Sequence, residues 1–250
     1  MENRIYGEKV NIDIDNTREL YNSRARRIQN GSISVNTSVL LGDQNPEYAD
    51  EWNRIEKDLI LPELKVTDSS FVIDLGCGVG RWAQTLLPVC KKYIGVDFSE
   101  GMINTASERC AEYTDGENKR FVTSSVQDFM RTFSSPESVD CFIISYVMMY
   151  INDGDLAELF ERIIRNASAN CTIYALDTVA LEKRITLREI YSDALVSNYS
   201  ALYRTVKEYE EAFSAFESAG FKCVSSGFMP KLNNEKHFSE TDRHYSIYRR

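Results

Sequence analysis

Apolar residues along this chain follow two regimes. Up to about residue 64 they recur at helical spacing, and from residue 71 they gather into short runs divided by helical stretches. In the first regime Asn16 and Glu19 form a capping box for the helix "NTRELYNSRARRIQ", which Asn30-Gly31 should stop. A second helix is predicted over 46–64, with Trp52, Ile55, Leu59 and Ile60 on one face. In the second regime, "FVIDL" (71–75), "KYIGVD" (92–97), "RFVTS" (120–124), "VDCFIIS" (139–145), "CTIYALD" (171–177), "FKCVSSGF" (221–228) and "HYSIYRR" (244–250) read as strands. Helical patterns near 80–90, 100–113 and 153–168 separate the earlier ones. Such alternation specifies an α/β fold in which helices cover both faces of a parallel sheet.

The alternation breaks after residue 177. A long stretch, 181–220, reads as a helical insertion, so the last two strands should form a C-terminal hairpin on the sheet edge. The whole chain, 1–250, is thus expected to be a single domain. Its parts are an N-terminal helical cap (1–64), a core (65–180), the insertion (181–220) and the strand pair (221–250).

Composition narrows the function. No stretch approaches the roughly 18 uninterrupted apolar residues of a membrane span, and "MENRIYGEKV" is too polar for a secretory signal. The chain therefore reads as a soluble, cytoplasmic protein. A formal net charge of -9 argues against a nucleic-acid surface, which needs a basic face. The six cysteines are scattered without a CxxC pair, so neither a metal site nor a disulfide framework is expected.

The chemistry concentrates in "VIDLGCGVGRW" (72–82), where Gly76, Gly78 and Gly80 follow the first core strand. In open α/β sheets that turn faces the ligand crevice, and residues without a Cβ let the backbone approach a ligand. Asp97 ends the second strand, where a carboxylate can accept both hydroxyls of a ribose. A dinucleotide fingerprint, GxGxxG, would need glycine where Arg81 stands, so NAD is disfavoured. Instead an acid, Asp74, precedes the first glycine by two.

Together with "IGVDFSEGMI" (94–103), this turn resembles the class I S-adenosylmethionine-dependent methyltransferases, over roughly residues 55 to 180. The resemblance implies a three-layer fold around a doubly wound seven-stranded sheet of order 3-2-1-4-5-7-6, its last strand antiparallel. It also implies S-adenosyl-L-methionine as cofactor and S-adenosyl-L-homocysteine as product. Carried over position by position, Gly76, Cys77, Gly78 and Gly80 would lie against the methionine moiety, with Asp74 near its amino group. Asp97 would hold the ribose, and Phe98 and Met102 would flank it or the adenine. Ser125 stands where many family members place an acid after the third strand, leaving Val126 and Gln127 to meet the adenine through their backbone. Ser145 and Tyr146 would face the methionine side, and Arg81 the cofactor carboxylate.

In this fold the acceptor pocket is roofed by the N-terminal segment and the insertion, and both are rich in Tyr and Arg. Candidate acceptor contacts are Tyr6, Arg18, Tyr21, Arg24, Arg26 and Tyr150, then Arg188, Tyr191 and Arg204, with His244 at the rim. Guanidinium forks recognise planar anions, so a small anionic acceptor is expected. His237, Tyr21 and Asp177 are the candidate bases. O-transfer to a sugar, sugar nucleotide or phosphate-type group, as in surface-polysaccharide or secondary-metabolite pathways, is favoured because no aromatic cage with acids is evident. N-transfer to an amino sugar or small amine is the alternative, and an inactive cofactor-binding regulator is the non-enzymatic one.

Overall fold

The computed structural model describes residues 3–40, 45–192, 195, 197–232 and 239–250. The cap opens with a short strand, β1 (Arg4–Tyr6), followed by α1 (Ile14–Gln29). Asp13 caps α1 by accepting the Asp15 N–H at 2.9 Å, so the helix starts before the expected Asn16–Glu19 box. The members of that box are spent elsewhere, Asn16 on Glu189 and Glu19 on Arg26. After a single turn, α2 (Thr37–Leu40), comes α3 (Pro46–Leu64), which carries proline in its first turn where no N–H partner is lost. Its buried stripe is Ala49, Trp52, Glu56, Ile60 and Leu64. Leu59, expected on that face, is exposed, and a carboxylate, Glu56, is buried in its stead.

The core contains β2 (Phe71–Leu75), α4 (Ala83–Leu86), β3 (Lys92–Asp97), α5 (Glu100–Arg109), β4 (Lys119–Thr123), α6 (Val126–Thr132) and β5 (Val139–Ser145). A 3-10 turn (Met148–Tyr150), α7 (Asp153–Asn166) and β6 (Ala167–Ala180) follow. Beyond them lie β7 (Ile185–Ser192), β8 (Ser197–Tyr203), α8 (Val206–Ser218), β9 (Lys222–Phe228) and β10 (Thr241–Arg249). The main sheet runs β4-β3-β2-β5-β6-β10-β9, with β10 antiparallel to both neighbours. Numbered from β2, this is the expected 3-2-1-4-5-7-6 order. One face packs Phe129, Phe160, Phe213 and Phe216 from α6, α7 and α8, and the other packs Trp52 and Ile60 of α3 against Leu86 of α4.

The insertion departs from its helical expectation. Strands β7 (Ile185–Ser192) and β8 (Ser197–Tyr203) pair antiparallel, and among the described residues of the insertion only α8, opened by a Thr205–Glu208 capping box, is helical. "ITLREIYS" is rich in β-branched and aromatic residues, which suit a pleated surface. Pairing of β1 with β7, Ile5 opposite Thr186, completes a second, three-stranded sheet and ties the N-terminus to the insertion. Among the described residues, no helix is long and apolar enough to cross a membrane.

Candidate active site

Parallel register sets the ends of β2, β3 and β5 side by side, with Asp74 opposite Gly95 and Ile143. Beyond β2 the chain turns through Gly76, Gly78 and Gly80, all at positive φ. The N–H groups of Gly76 and Cys77 donate to the Val96 carbonyl at 2.7 and 2.9 Å, fixing the turn onto β3. A Cβ on Gly76 would stand 2.1 Å from Val147 Cγ2, and one on Gly78 would stand 3.0 Å from Val39. The turn therefore has room for backbone alone.

Asp97 meets this turn from the end of β3. Its Oδ2 accepts the Gly78 N–H at 3.0 Å and its Oδ1 the Ser99 N–H at 2.9 Å, and each oxygen keeps a further lone pair. Burial raises its pKa to about 6, against the pull of those two N–H groups. Asp74, beneath the turn, accepts the Tyr93 hydroxyl at 2.6 Å, and burial pushes it up to about 7. Burial also holds the Cys77 thiol well above its ordinary value, so it stays neutral. Arg81 loses stability as a cation through burial, but the adjacent Glu56 outweighs that and keeps it charged.

After β5 the chain bends at Tyr146, whose φ of 59° is left-handed and whose N–H donates to the Leu176 carbonyl at 2.7 Å. Such a conformation costs a non-glycine residue on the order of 1–3 kcal/mol. It aims Tyr146 and Val147 into a cleft of about 820 Å³, open to solvent, that also contacts Asp74, Gly76, Gly78 and Asp97. On one side lie Ser125, Val126 and Gln127, where Ser125 caps α6 by accepting the Asp128 N–H. The cap closes the other side with Ile14 and Tyr21 of α1 and Val39 of α2. Tyr21 donates its hydroxyl to that of Tyr150 at 3.2 Å and sets its ring edge-on to Phe98 and Tyr150.

The cleft thus gathers most residues expected at the cofactor, including Cys77, Arg81, Phe98 and Ser145. Two are placed otherwise: Met102 packs inside on Ala25 and Val79, and Gly80 lets α5 approach through Ala106. The expected acceptor contacts mostly stand apart. Arg24 is buried and donates to the carbonyls of Thr37 and Ser38 at 2.7 Å, and to that of Leu195. Arg204, also buried, holds the carbonyls of Met148 and Ile151 and the Asp153 carboxylate. Arg18 and Arg26 pair with Asp15 and Glu19 at the surface, and Arg188 donates to the Asn11 carbonyl. Tyr6 and Tyr191 are exposed. His244, on β10, lies against the ring of Phe228 at the end of β9 and stands opposite Asp177 in register. His237 lies outside the described residues.

Tyr21 and Tyr150 do reach the cleft; burial raises the pKa of Tyr21, so its hydroxyl is neutral near pH 7. Asp177 accepts the Met149 N–H and the Tyr209 hydroxyl at 3.1 Å each, while its buried Oδ1 has no partner among the described residues. Burial pushes Asp177 up to about 8. Sequence reasoning missed Glu56, which accepts from Arg81, Ser145 and Tyr174. The signal was there: a carboxylate between Trp52 and Ile60 on the apolar stripe of α3.

A backbone-only cradle, a buried acid beside it and an acid-weighted lining suit a ribose and a sulfonium cation. Residues 72–170 match the family model described as "Methyltransferase domain". The core of the chain is thus similar to methyltransferase domains, in keeping with the resemblance its glycine turn carries. Among curated proteins, the chain is 24% identical over 134 residues to phosphoethanolamine N-methyltransferase 3 of Arabidopsis thaliana, covering 54% of this chain and 26% of that one. It is 29% identical to the carboxy-S-adenosyl-L-methionine synthase of Campylobacter fetus subsp. fetus, over 76% of this chain and 74% of the synthase. The chain spans less than half the length of the phosphoethanolamine N-methyltransferases it matches. In fold it resembles Haemonchus contortus phosphoethanolamine N-methyltransferase 1, solved with phosphoethanolamine and S-adenosylhomocysteine. There the TM-score is 0.69 at 18% identity, over 95% of this chain and 50% of that one.

Proposed function

We propose that this methyltransferase transfers the methyl group of S-adenosylmethionine to the nitrogen of a small polar amine. The observation that carries this reading is the tyrosine face at the acceptor end of the cleft, where Tyr21 and Tyr150 meet beside Tyr146 and Phe98. Behind it pack Tyr199 and Tyr203 of β8. The sequence favoured O-transfer because no such cage was visible; these tyrosines come from α1, the loop after β5 and the insertion. Among the described lining residues the cation is Arg81, which this reading assigns to the cofactor carboxylate, so no second cation there is left to hold an anionic nucleophile.

Bound S-adenosylmethionine supplies an electrophilic methyl on a sulfonium sulfur. Gly76, Cys77 and Gly78 cradle its methionine end, Asp74 faces the amino group, and Asp97 accepts the ribose hydroxyls. Ser125, Val126 and Gln127 flank the adenine, and Arg81 receives the carboxylate. Alignment is most of the catalysis in such an in-line displacement. The amine nitrogen forms its bond to carbon as the sulfur–carbon bond breaks, and its proton leaves to water. Positive charge moves toward nitrogen, and the ring faces and hydroxyl oxygens of Tyr21 and Tyr150 stabilise it there. The named substrates of the phosphoethanolamine relatives support an acceptor that also carries an anionic tail.

A paired assay tests the reading: phosphoethanolamine against ethylene glycol phosphate, identical but for amine and hydroxyl, with the methylated product weighed by mass spectrometry. Methylation of the amine alone is expected. Methylation of the hydroxyl alone would restore the O-transfer reading.

A further inference from the structure

Glu56 belongs to the cap helix α3, yet its carboxylate ends inside the core, 2% exposed. A charge so placed is costly unless it is fully paired. Its Oε1 accepts the Ser145 hydroxyl at 2.8 Å and the Tyr174 hydroxyl at 3.0 Å, and its Oε2 accepts Arg81 Nη1 at 3.0 Å. The same Nη1 donates to Asn53 Oδ1 at 3.0 Å, one turn earlier on α3. Two acceptors of α3 therefore grip one nitrogen of the guanidinium. Its Nε and Nη2, which form the opposite edge, have no acceptor among the described residues, and Arg81 lines the cleft beside Gly78 and Asp74.

An Arg edge held in this way presents two parallel N–H groups, the geometry that matches a carboxylate. Adenine, ribose and sulfonium offer no planar anion; the methionine end of the cofactor does. We propose that Glu56 is a positioning residue, fixing Arg81 so that Nε and Nη2 receive that carboxylate. This rests on the reading of Arg81 given above. In consequence the cap helix, and not only the glycine turn, sets the preference for a nucleoside that bears the amino-acid tail. Ser145 contributes through the same carboxylate, linking the end of β5 to α3.

The test compares binding of S-adenosylhomocysteine with that of 5′-methylthioadenosine, which keeps the nucleoside and thioether but lacks the tail. By titration calorimetry, Arg81→Met should weaken the first about 50-fold and the second under about twofold. Glu56→Gln should weaken the first about tenfold and again spare the second. Should the single variants fold poorly, Glu56→Leu with Arg81→Met replaces the buried pair by apolar groups, which such sites tolerate. That double variant should fold with a Tm near wild type and bind both ligands alike. If Arg81→Met leaves the preference for the tail intact, the Arg81 reading falls and the inference with it. If Arg81→Met abolishes the preference but Glu56→Gln retains it, or weakens both ligands in parallel, the role of Glu56 is overturned alone.

Discussion

At the scale of single residues, the cleft is governed by carboxyl groups that burial keeps partly protonated. Asp97 and Asp74 titrate at about 6 and about 7 in the free protein, and ribose hydroxyls need the ionised form to accept them. Through Asp97, cofactor affinity should therefore rise with pH, by about tenfold per unit well below pH 6 and levelling above it. Titrations of S-adenosylmethionine at pH 5 and pH 7.5 check this, and Asp97→Asn should remove the slope along with the affinity. Stability runs the other way. Carboxyls whose folded pKa is raised contribute fully below about pH 4, and that contribution is lost as pH climbs through 6 and 7. The tyrosine face has its own signature: Tyr150→Leu should cut kcat/KM for the amine about 30-fold, equal to about 2 kcal/mol, whereas Tyr150→Phe keeps the ring and costs under about fivefold. Asp74, Asp97 and Arg81 were legible because a local motif carries them. Glu56 and the meeting of Tyr21 with Tyr150 were not, since they depend on segments brought together only by the fold.

At the scale of elements, the site depends on two junctions. The glycine turn packs against the loop after β5, so Gly76→Ala meets both a left-handed backbone and Val147. We expect a loss of at least about 1–3 kcal/mol in stability from the backbone alone, together with loss of cofactor binding; denaturant melts and calorimetry measure each. The second junction is Arg24, which binds α1 to the carbonyls at residues 37 and 38. Arg24→Met should destabilise the protein by about 3 kcal/mol, and hydrogen exchange should quicken in α1 and α2 before the main sheet. Strands with long apolar runs, such as 71–75, 92–97 and 139–145, could be read to the residue. The paired strands β7 and β8 could not, because they are half-exposed and lack such runs, and their partner β1 spans only Arg4–Tyr6.

At the scale of the whole molecule, a second sheet built from the N-terminal strand β1 and the insertion strands β7 and β8 braces the α1 cap over the mouth of a doubly wound core. The core topology was legible through the glycine turn and its resemblance. The brace was not, since pairing Arg4 with Leu187 joins segments that nothing local connects. The α1 cap and the core meet at the cleft, so ligand binding should stabilise the molecule as a unit, with Tm rising as S-adenosylhomocysteine exceeds its Kd. The most direct measurement is calorimetric titration of S-adenosylhomocysteine, with NADH beside it, into wild type and Asp97→Ala. Binding of S-adenosylhomocysteine but not NADH is expected, weakened at least about 100-fold in the variant by loss of the charged ribose acceptor. Absence of S-adenosylhomocysteine binding, binding undiminished in Asp97→Ala, or binding of NADH instead would contradict it.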